Sequence, residues 1–323
     1  MNEVAATWFR RRTFGHRRFS DVRALADAKR QQGLTVSVCI PTINEASTIG
    51  AIVGAIRRSL VERVPLIDEV VVVDSASSDG TAGAAEAAGA AVYQETAILP
   101  ALEPMSGKGE ALWKSLFAAR GDLILWLDGD ISDFDLRFVY GPLGPLLVDP
   151  SIGYVKGFYD RPVSASEGSH PVGGGRVTEL VARPLINLFW PHLAGLIQPL
   201  SGEYAGRRSL LEQVPFLTGY GVELGLLVDI AERFGLDAMA QVDLDSRVHR
   251  HRSIAELSRM ASAVIQAALA RLDAGGHVDL RTVPESVLVQ FSRDADGYRA
   301  EPSPVAIRER PPAVTVSADG ALA

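Results

Sequence analysis

The chain has 323 residues, a formal net charge of −7 and 47% apolar residues, enough for one large domain with a sizeable core. The acidic balance gives no general pull toward nucleic acid. Aromatics are sparse while Ala, Gly and Leu are abundant, which suits a helix-covered sheet better than an all-β sandwich.

Residues 1–34 are polar and basic, with Arg10-Arg11-Arg12 and His16-Arg17-Arg18, and read as a solvated arm or short helix. They contain no apolar signal-peptide core, and no run in the chain reaches the ~18 apolar residues of a membrane span. The single cysteine, Cys39, excludes an internal disulfide and a zinc cluster. It reads as a small buried hydrophobe in a reducing, cytoplasmic protein with no membrane partner.

From Thr35 the pattern alternates. Val36–Ile40 is an apolar run stopped by Pro41, and Ile49, Val53 and Ile56 then share a helical face. Val70–Val73 ends at Asp74, and an Ala-rich helix runs from about Thr81 to Ala88. Ala91–Tyr93 is a third strand, a helix follows from about Gly109 to Ala119, and Leu123–Leu127 empties into Asp128. Short, continuously apolar strands between helices predict a mostly parallel sheet covered on both faces. Ligands of such sheets bind beyond the carboxyl ends of the strands, so Thr42, Asn44, Glu45, Asp74, Ser75, Asp128 and Asp130 are the polar residues to watch.

The second half is less regular. Ile152–Phe158 reads as a strand, Gly173-Gly174-Gly175 opens a helix from about Arg176 to Phe189, and a further helix spans about Val222 to Phe234. Met239–Val248 reads as a strand that delivers His249, and Ser253 caps a helix with Ile254, Leu257, Met260, Val264 and Ile265 at helical spacing. Residues after about 295 are rich in Pro, Ala, Ser and charge and read as a loose tail. The expected organisation is therefore a basic arm (1–34), a ligand-binding half (35–150), a second half (151–295) and a tail (296–323).

Two carboxylates one residue apart, in Asp128-Gly129-Asp130, can turn both oxygens toward one hard cation. A strand end places that cation in the sheet crevice, where it can neutralise a diphosphate. His249, in Arg247-Val248-His249-Arg250-His251-Arg252, can complete such a site, and its flanking arginines otherwise form an exposed basic turn. Gly173 to Thr178 presents backbone N–H groups at a helix start beside Arg176 and Thr178, an anion clamp. Lys108 in Ser106-Gly107-Lys108-Gly109 resembles a phosphate contact, although the segment is not a Walker A loop. No Gly-x-Gly-x-x-Gly follows the first strand, which argues against a dinucleotide site, and no Gly-x-Ser-x-Gly elbow marks a hydrolase.

Pro41-Thr42-Ile43-Asn44-Glu45, Asp74-Ser75 and Asp128-Gly129-Asp130 together resemble the nucleotide-sugar-binding half of GT-A glycosyltransferases. Gly107 to Trp113, Gly173 to Pro184, Pro199 to Tyr204 and Gly219 to Glu223 resemble, more narrowly, the retaining glucosyl- and mannosyl-3-phosphoglycerate synthases, over roughly residues 35–255. The resemblance implies a GT-A, Rossmann-like fold with a smaller acceptor-binding C-terminal part, and a homodimer. It implies transfer of a hexose from a nucleoside diphosphate sugar to the 2-hydroxyl of 3-phosphoglycerate.

By the same resemblance, Pro41, Thr42, Ile43, Glu45, Ser75, Lys108, Asp128, Gly129, Asp130 and Leu200 hold the donor. Asp130 and His249 bind Mg²⁺ or a similar ion (Mn²⁺, Co²⁺), and Gly175, Arg176, Thr178 and His251 hold the acceptor. The expected catalytic residues are Asp130, through its metal, and Lys108, which stabilise the departing diphosphate, and Glu223, a candidate base or sugar-binding residue. Glucosyl members carry Ser where Gly129 stands and Asn where His251 stands, so the reading leans to GDP-mannose, with GDP-glucose or UDP-glucose as alternatives. Competing readings are a non-catalytic sensor of nucleotide sugar or phosphoglycerate, and a glycosyltransferase with another anionic acceptor.

Overall fold

The computed structural model describes residues 1–161, 175–248, 253–317 and 320. The predicted alternation is present from β2 (Val36–Thr42) through α3 (Ile49–Ile56), β3 (Glu69–Asp74), α4 (Thr81–Ala87), β4 (Ala91–Gln94), α5 (Lys108–Ala118) and β5 (Leu123–Trp126). Before it stand α1 (Glu3–Arg12), β1 (Thr13–Gly15) and α2 (Val22–Gln31). After it come α6 (Arg137–Val148), β6 (Tyr154–Asp160), α7 (Arg183–Phe189), β7 (Tyr204–Arg207), α8 (Arg208–Leu211), β8 (Phe216–Leu217), α9 (Val222–Phe234) and β9 (Met239–Ser246). The chain continues with α10 (Ile254–Ala274), β10 (Val287–Asp294), β11 (Gly297–Pro304) and β12 (Glu309–Arg310).

One eight-stranded sheet, ordered β1-β9-β6-β7-β5-β2-β3-β4, runs through both halves of the chain. Its strands pair in parallel except β7, which is antiparallel to both β5 and β6. That reversal brings the residue before β7, Glu203, to the same edge as the carboxyl ends of β5 and β2. The strands read as apolar runs because both faces are covered. Val38, Ile40, Val70, Val72 and Leu125 pack with α3 and α6 on one face. Cys39, Val71, Val73, Ile124, Trp126, Tyr154 and Tyr204 pack with α5, α9 and α10 on the other.

Both ends of the chain differ from the sequence-based expectation. The basic arm is built into the fold: Trp8 is 2% exposed and its indole N–H donates to the Met239 carbonyl at 2.9 Å, while β1 pairs in parallel with β9. The arginines that suggested solvation sit on the outer faces of α1 and the turn after it, but Arg12 is buried on Asp149 at 2.7 Å, and His16 is buried between Tyr140 at 3.0 Å and Asp245 at 2.8 Å. The tail is not loose either. β11 pairs along its length with β10, β12 pairs with β8, and Arg310, Ala313 and Val316 are buried. The predicted helix over 176–189 contains a π-helical turn at Thr178–Ala182 before α7, so it is not one uniform helix. The Ser253 cap is present as a complete capping box with Glu256.

Candidate active site

The strand ends form a shelf. Register places Thr42 beside Asp74, and Asp74 beside Gln94. The Thr42 hydroxyl donates to Asp74 at 3.1 Å, and the Ser75 N–H donates to the Thr42 carbonyl at 2.9 Å. The Ser75 hydroxyl donates to Glu95 at 2.5 Å. Asn44 holds a left-handed conformation (φ 58°), stabilised because its amide oxygen accepts from the Ser78 N–H and its own N–H donates to Ser77. Ile43 projects outward at 60% exposure, Pro41 is half-buried in β2, and the Glu45 N–H is tied to the Thr81 hydroxyl at 2.8 Å. The Thr48 hydroxyl donates to the Gly129 carbonyl at 2.6 Å and so joins this shelf to the acidic turn after β5.

The acidic turn is the centre of one ionic cluster. Lys108, the first residue of α5, donates to Asp128 at 2.7 Å and pairs with Glu223, in the first turn of α9, at 2.9 Å. Arg247, just past β9, donates to Asp128 at 3.0 Å and Asp130 at 2.5 Å, and also to Glu203. Burial alone would raise the Asp128 carboxyl, but the Lys108 and Arg247 charges outweigh it and hold the group well below the usual carboxylate range. Burial would likewise lower the Lys108 ammonium, and Asp128 and Glu223 raise it well above its ordinary value. Glu203 shows the opposite balance: burial lifts its carboxyl, and Arg247 offsets only part of the rise.

Two glycines let these charges meet. A Cβ at Gly109 would lie 1.9 Å from the Leu217 carbonyl oxygen, so only glycine lets α5 start against the segment that leads into α9. A Cβ at Gly202 would lie 2.1 Å from an Asp128 carboxylate oxygen, so that carboxylate rests directly on bare backbone.

The predicted residues thus fall into groups. Lys108, Asp128, Asp130 and Glu223 are brought together, with Pro41, Thr42, Glu45, Ser75 and Gly129 on the adjoining shelf. Leu200 is half-buried against the core, three residues before Glu203. Gly175 lies under the Arg161 guanidinium, which is 5.5 Å from the Tyr159 ring centroid, and Arg247 approaches the same ring at 5.7 Å. Arg176 is exposed, whereas Thr178 is 3% exposed. Gly173, Gly174, His249 and His251 lie outside the described residues.

The sequence reading missed Arg247 and Glu203. Arg247 was grouped with an exposed basic turn, yet it is 1% exposed and its charge is bound by three carboxylates. No signal in the basic run Arg247 to Arg252 sets it apart. The signal for Glu203 is that it is the lone charge in Gly202-Glu203-Tyr204-Ala205-Gly206, where the chain enters β7. The carboxylates of Asp128 and Asp130 already converge on one cationic group, and their hard oxygen donors fit a divalent ion of the Mg²⁺ or Mn²⁺ class. Among the described residues no group of three His, Cys, Asp or Glu side chains forms a complete metal cage.

Comparison with known proteins agrees with this geometry. Residues 37–136 match the family described as glycosyl transferase family 2. The chain is 45% identical over 306 residues to glucosyl-3-phosphoglycerate synthase of Petrotoga mobilis, covering 95% of this chain and 94% of the relative. It superposes on the crystal structure of mannosyl-3-phosphoglycerate synthase from Rubrobacter xylanophilus with a TM-score of 0.88 at 44% identity, covering 95% and 96% of the two chains. A Mycobacterium tuberculosis glucosyl-3-phosphoglycerate synthase, solved with Mn²⁺, UDP and phosphoglyceric acid, matches with a TM-score of 0.78 at 42% identity over 91% and 94%. The chain belongs to the retaining glucosyl-/mannosyl-3-phosphoglycerate synthase family of GT-A glycosyltransferases.

Proposed function

We propose that the protein transfers a hexose, with retention of anomeric configuration, from a nucleoside diphosphate sugar to the 2-hydroxyl of 3-phosphoglycerate. The observation that carries this reading is the Lys108–Asp128–Arg247–Asp130 cluster at the end of β5. It sets two cations and two carboxylates where a diphosphate and its counter-ion would be bound. Asp130, with Asp128 beside it and His249 as the further ligand expected from sequence, would hold a Mg²⁺ or Mn²⁺ ion, which neutralises charge on the leaving diphosphate.

The chain's own residues do the rest. Thr42, Ser75 and the Pro41–Glu45 segment hold the nucleoside on the shelf, with Leu200 closing the donor side. Lys108 turns one of its N–H donors toward the diphosphate and stabilises it as the glycosidic bond to phosphate lengthens. Glu223, 4% exposed and paired with Lys108, faces the sugar and orients it. Gly175, Arg176, Thr178 and His251 hold the charged ends of the acceptor, so that its hydroxyl attacks from the face the diphosphate leaves.

For the donor, sequence alone leans to GDP-mannose because of Gly129 and His251. The relatives' names favour glucose, and the Mycobacterium tuberculosis structure contains UDP. We therefore place UDP-glucose first and GDP-glucose and GDP-mannose after it. A homodimer through α10 is supported by the outward Ile254 (70% exposed) and Ile265 (42%). Among the described residues no helix is long and apolar enough to cross a membrane. Replacing Asp130 with Ala tests the core of the reading: turnover should fall by about 10²-fold or more, and a variant with wild-type turnover would remove the metal-clamp role.

A further inference from the structure

The chain has four lysines, Lys29, Lys108, Lys114 and Lys156, among 32 Lys and Arg residues, and none of the four is exposed. Lysine differs from arginine in one respect that matters inside a protein: it can give up its proton. Three of the four have partners. Lys29 donates to both oxygens of Asp68 at 2.9 and 2.8 Å, Lys108 holds Asp128 and Glu223, and Lys114 donates to the Glu95 carbonyl at 2.8 Å and faces Glu110 at 3.3 Å. Lys156 has neither a hydrogen-bond nor an ion-pair partner among the described residues, although it is 1% exposed.

Its surroundings are specific. Register sets Lys156 of β6 opposite Tyr204 of β7 and Gln241 of β9, and its Nζ lies 4.0 Å from the centroid of the Tyr204 ring. The charged groups that face it are Glu223 of α9, Lys108 of α5, Glu203 before β7 and Asp128 after β5, with Arg247 seated on Glu203. Tyr154 on its own strand and Tyr204 beside it carry buried hydroxyls that also lack partners. Burial pushes the Lys156 amine down to about 7, with Glu223 pulling it back up and Lys108 pushing it further down. Lys156 therefore senses the Lys108–Glu223 pair more than any other charge around it.

We propose that Lys156 is the reserve cation of the donor site: it takes up a proton when a nucleoside diphosphate draws Lys108 away from Glu223, and releases it when the diphosphate departs. The inference rests on the reading that Lys108 receives the donor diphosphate. Lys108 now serves Asp128 and Glu223 together, and turning toward phosphate oxygens loosens its hold on Glu223, whose side chain is 6% exposed. A buried carboxylate that loses its cation is strongly disfavoured. A proton from solvent, bound by the Lys156 lone pair, restores the balance without any movement of the backbone. Lys156 is buried and acts through Glu223, so it is a positioning residue. Because binding favours the protonated amine, donor affinity is complete below neutrality and declines as pH rises through the range in which free Lys156 loses its proton.

Protein grown with [ε-¹³C]lysine gives only four lysine resonances, assignable from single Lys→Arg variants. These are followed from about pH 6 to about pH 9.5, with and without saturating UDP and Mg²⁺. The expected result is that Lys156 loses its proton near neutrality in the free protein, and that nucleotide raises its proton affinity about tenfold or more. An unchanged Lys156 titration beside a shifted Lys108 resonance overturns this inference and leaves the donor reading standing. If neither resonance responds to nucleotide, the donor reading fails and the inference fails with it. As an independent check, the donor KM should rise about tenfold across the same window in the wild type and stay level in Lys156→Met. A Lys156→Met variant that keeps the pH step overturns the inference.

Discussion

Adding a single methyl group at Gly202 should disarm the site without unfolding the protein. The Cβ of an alanine there would lie 2.1, 2.3 and 2.4 Å from the three carboxyl-group atoms of Asp128. Contact between non-bonded atoms begins near 3.5 Å, so the carboxylate must retreat by about 1 Å. Gly202 does not have a positive φ, so the effect is one of space and not of backbone strain. The retreat pulls Asp128 from Lys108 (2.7 Å) and Arg247 (3.0 Å) together.

The Asp128 side chain is 26% exposed, which screens part of the loss. A fully buried pair broken in this way costs about 3–5 kcal/mol, and the partial exposure reduces that to about 1–3 kcal/mol. The catalytic effect is larger, because a misplacement of about 1 Å costs about 10²-fold in rate. Urea unfolding and steady-state turnover of Gly202→Ala separate the two. Turnover within about twofold of wild type would refute the argument that Asp128 must rest against bare backbone at 202.

Other outcomes follow from the same contacts. Arg310, 4% exposed, grips both carboxylate oxygens of the fully buried Glu110 at 2.7 Å, so Arg310→Met should destabilise the fold by about 3–5 kcal/mol in denaturant titration; a loss below about 1 kcal/mol contradicts the docked tail. Asp128 has a folded-state pKa below its unfolded value, so its stabilisation is present above about pH 4 and is lost as pH falls below that range. Stability measured between about pH 6 and pH 3 should therefore fall less steeply in Asp128→Asn than in the wild type, and equal slopes would count against the ion pairs. Cys39 is buried and its thiol is pushed up to about 12 by burial, so native protein should resist thiol reagents that label it once unfolded.

Much of the first half was legible because parallel strands buried on both faces carry few polar residues to interrupt them. Val36–Thr42, Glu69–Asp74 and Leu123–Trp126 therefore announced themselves, and so did the polar residues that follow each one. The partners of those residues were not legible. Asp128 and Arg247 are 119 positions apart, and nothing in a basic run such as Arg247 to Arg252 marks Arg247 as a buried guanidinium.

The tail was misread for a related reason. Its composition is that of a disordered segment, but Arg310 finds a buried carboxylate 200 residues away, and Trp113 donates its indole N–H to the Pro311 carbonyl at 2.8 Å. Asp296-Gly297 between two runs was the overlooked hairpin signal. Lys156 offered no signal at all, because a lysine in Tyr-Val-Lys-Gly-Phe looks like an outward residue of a half-covered strand.

The cluster around Asp128 is proposed to serve hexose transfer to 3-phosphoglycerate. A coupled assay of nucleoside diphosphate release tests it, run with UDP-glucose, GDP-glucose and GDP-mannose, each with and without 3-phosphoglycerate and with Mg²⁺ or Mn²⁺ present. Release that depends on the acceptor is expected with at least one of the three donors. Binding without release, or release at the same rate when 3-phosphoglycerate is left out, would contradict it.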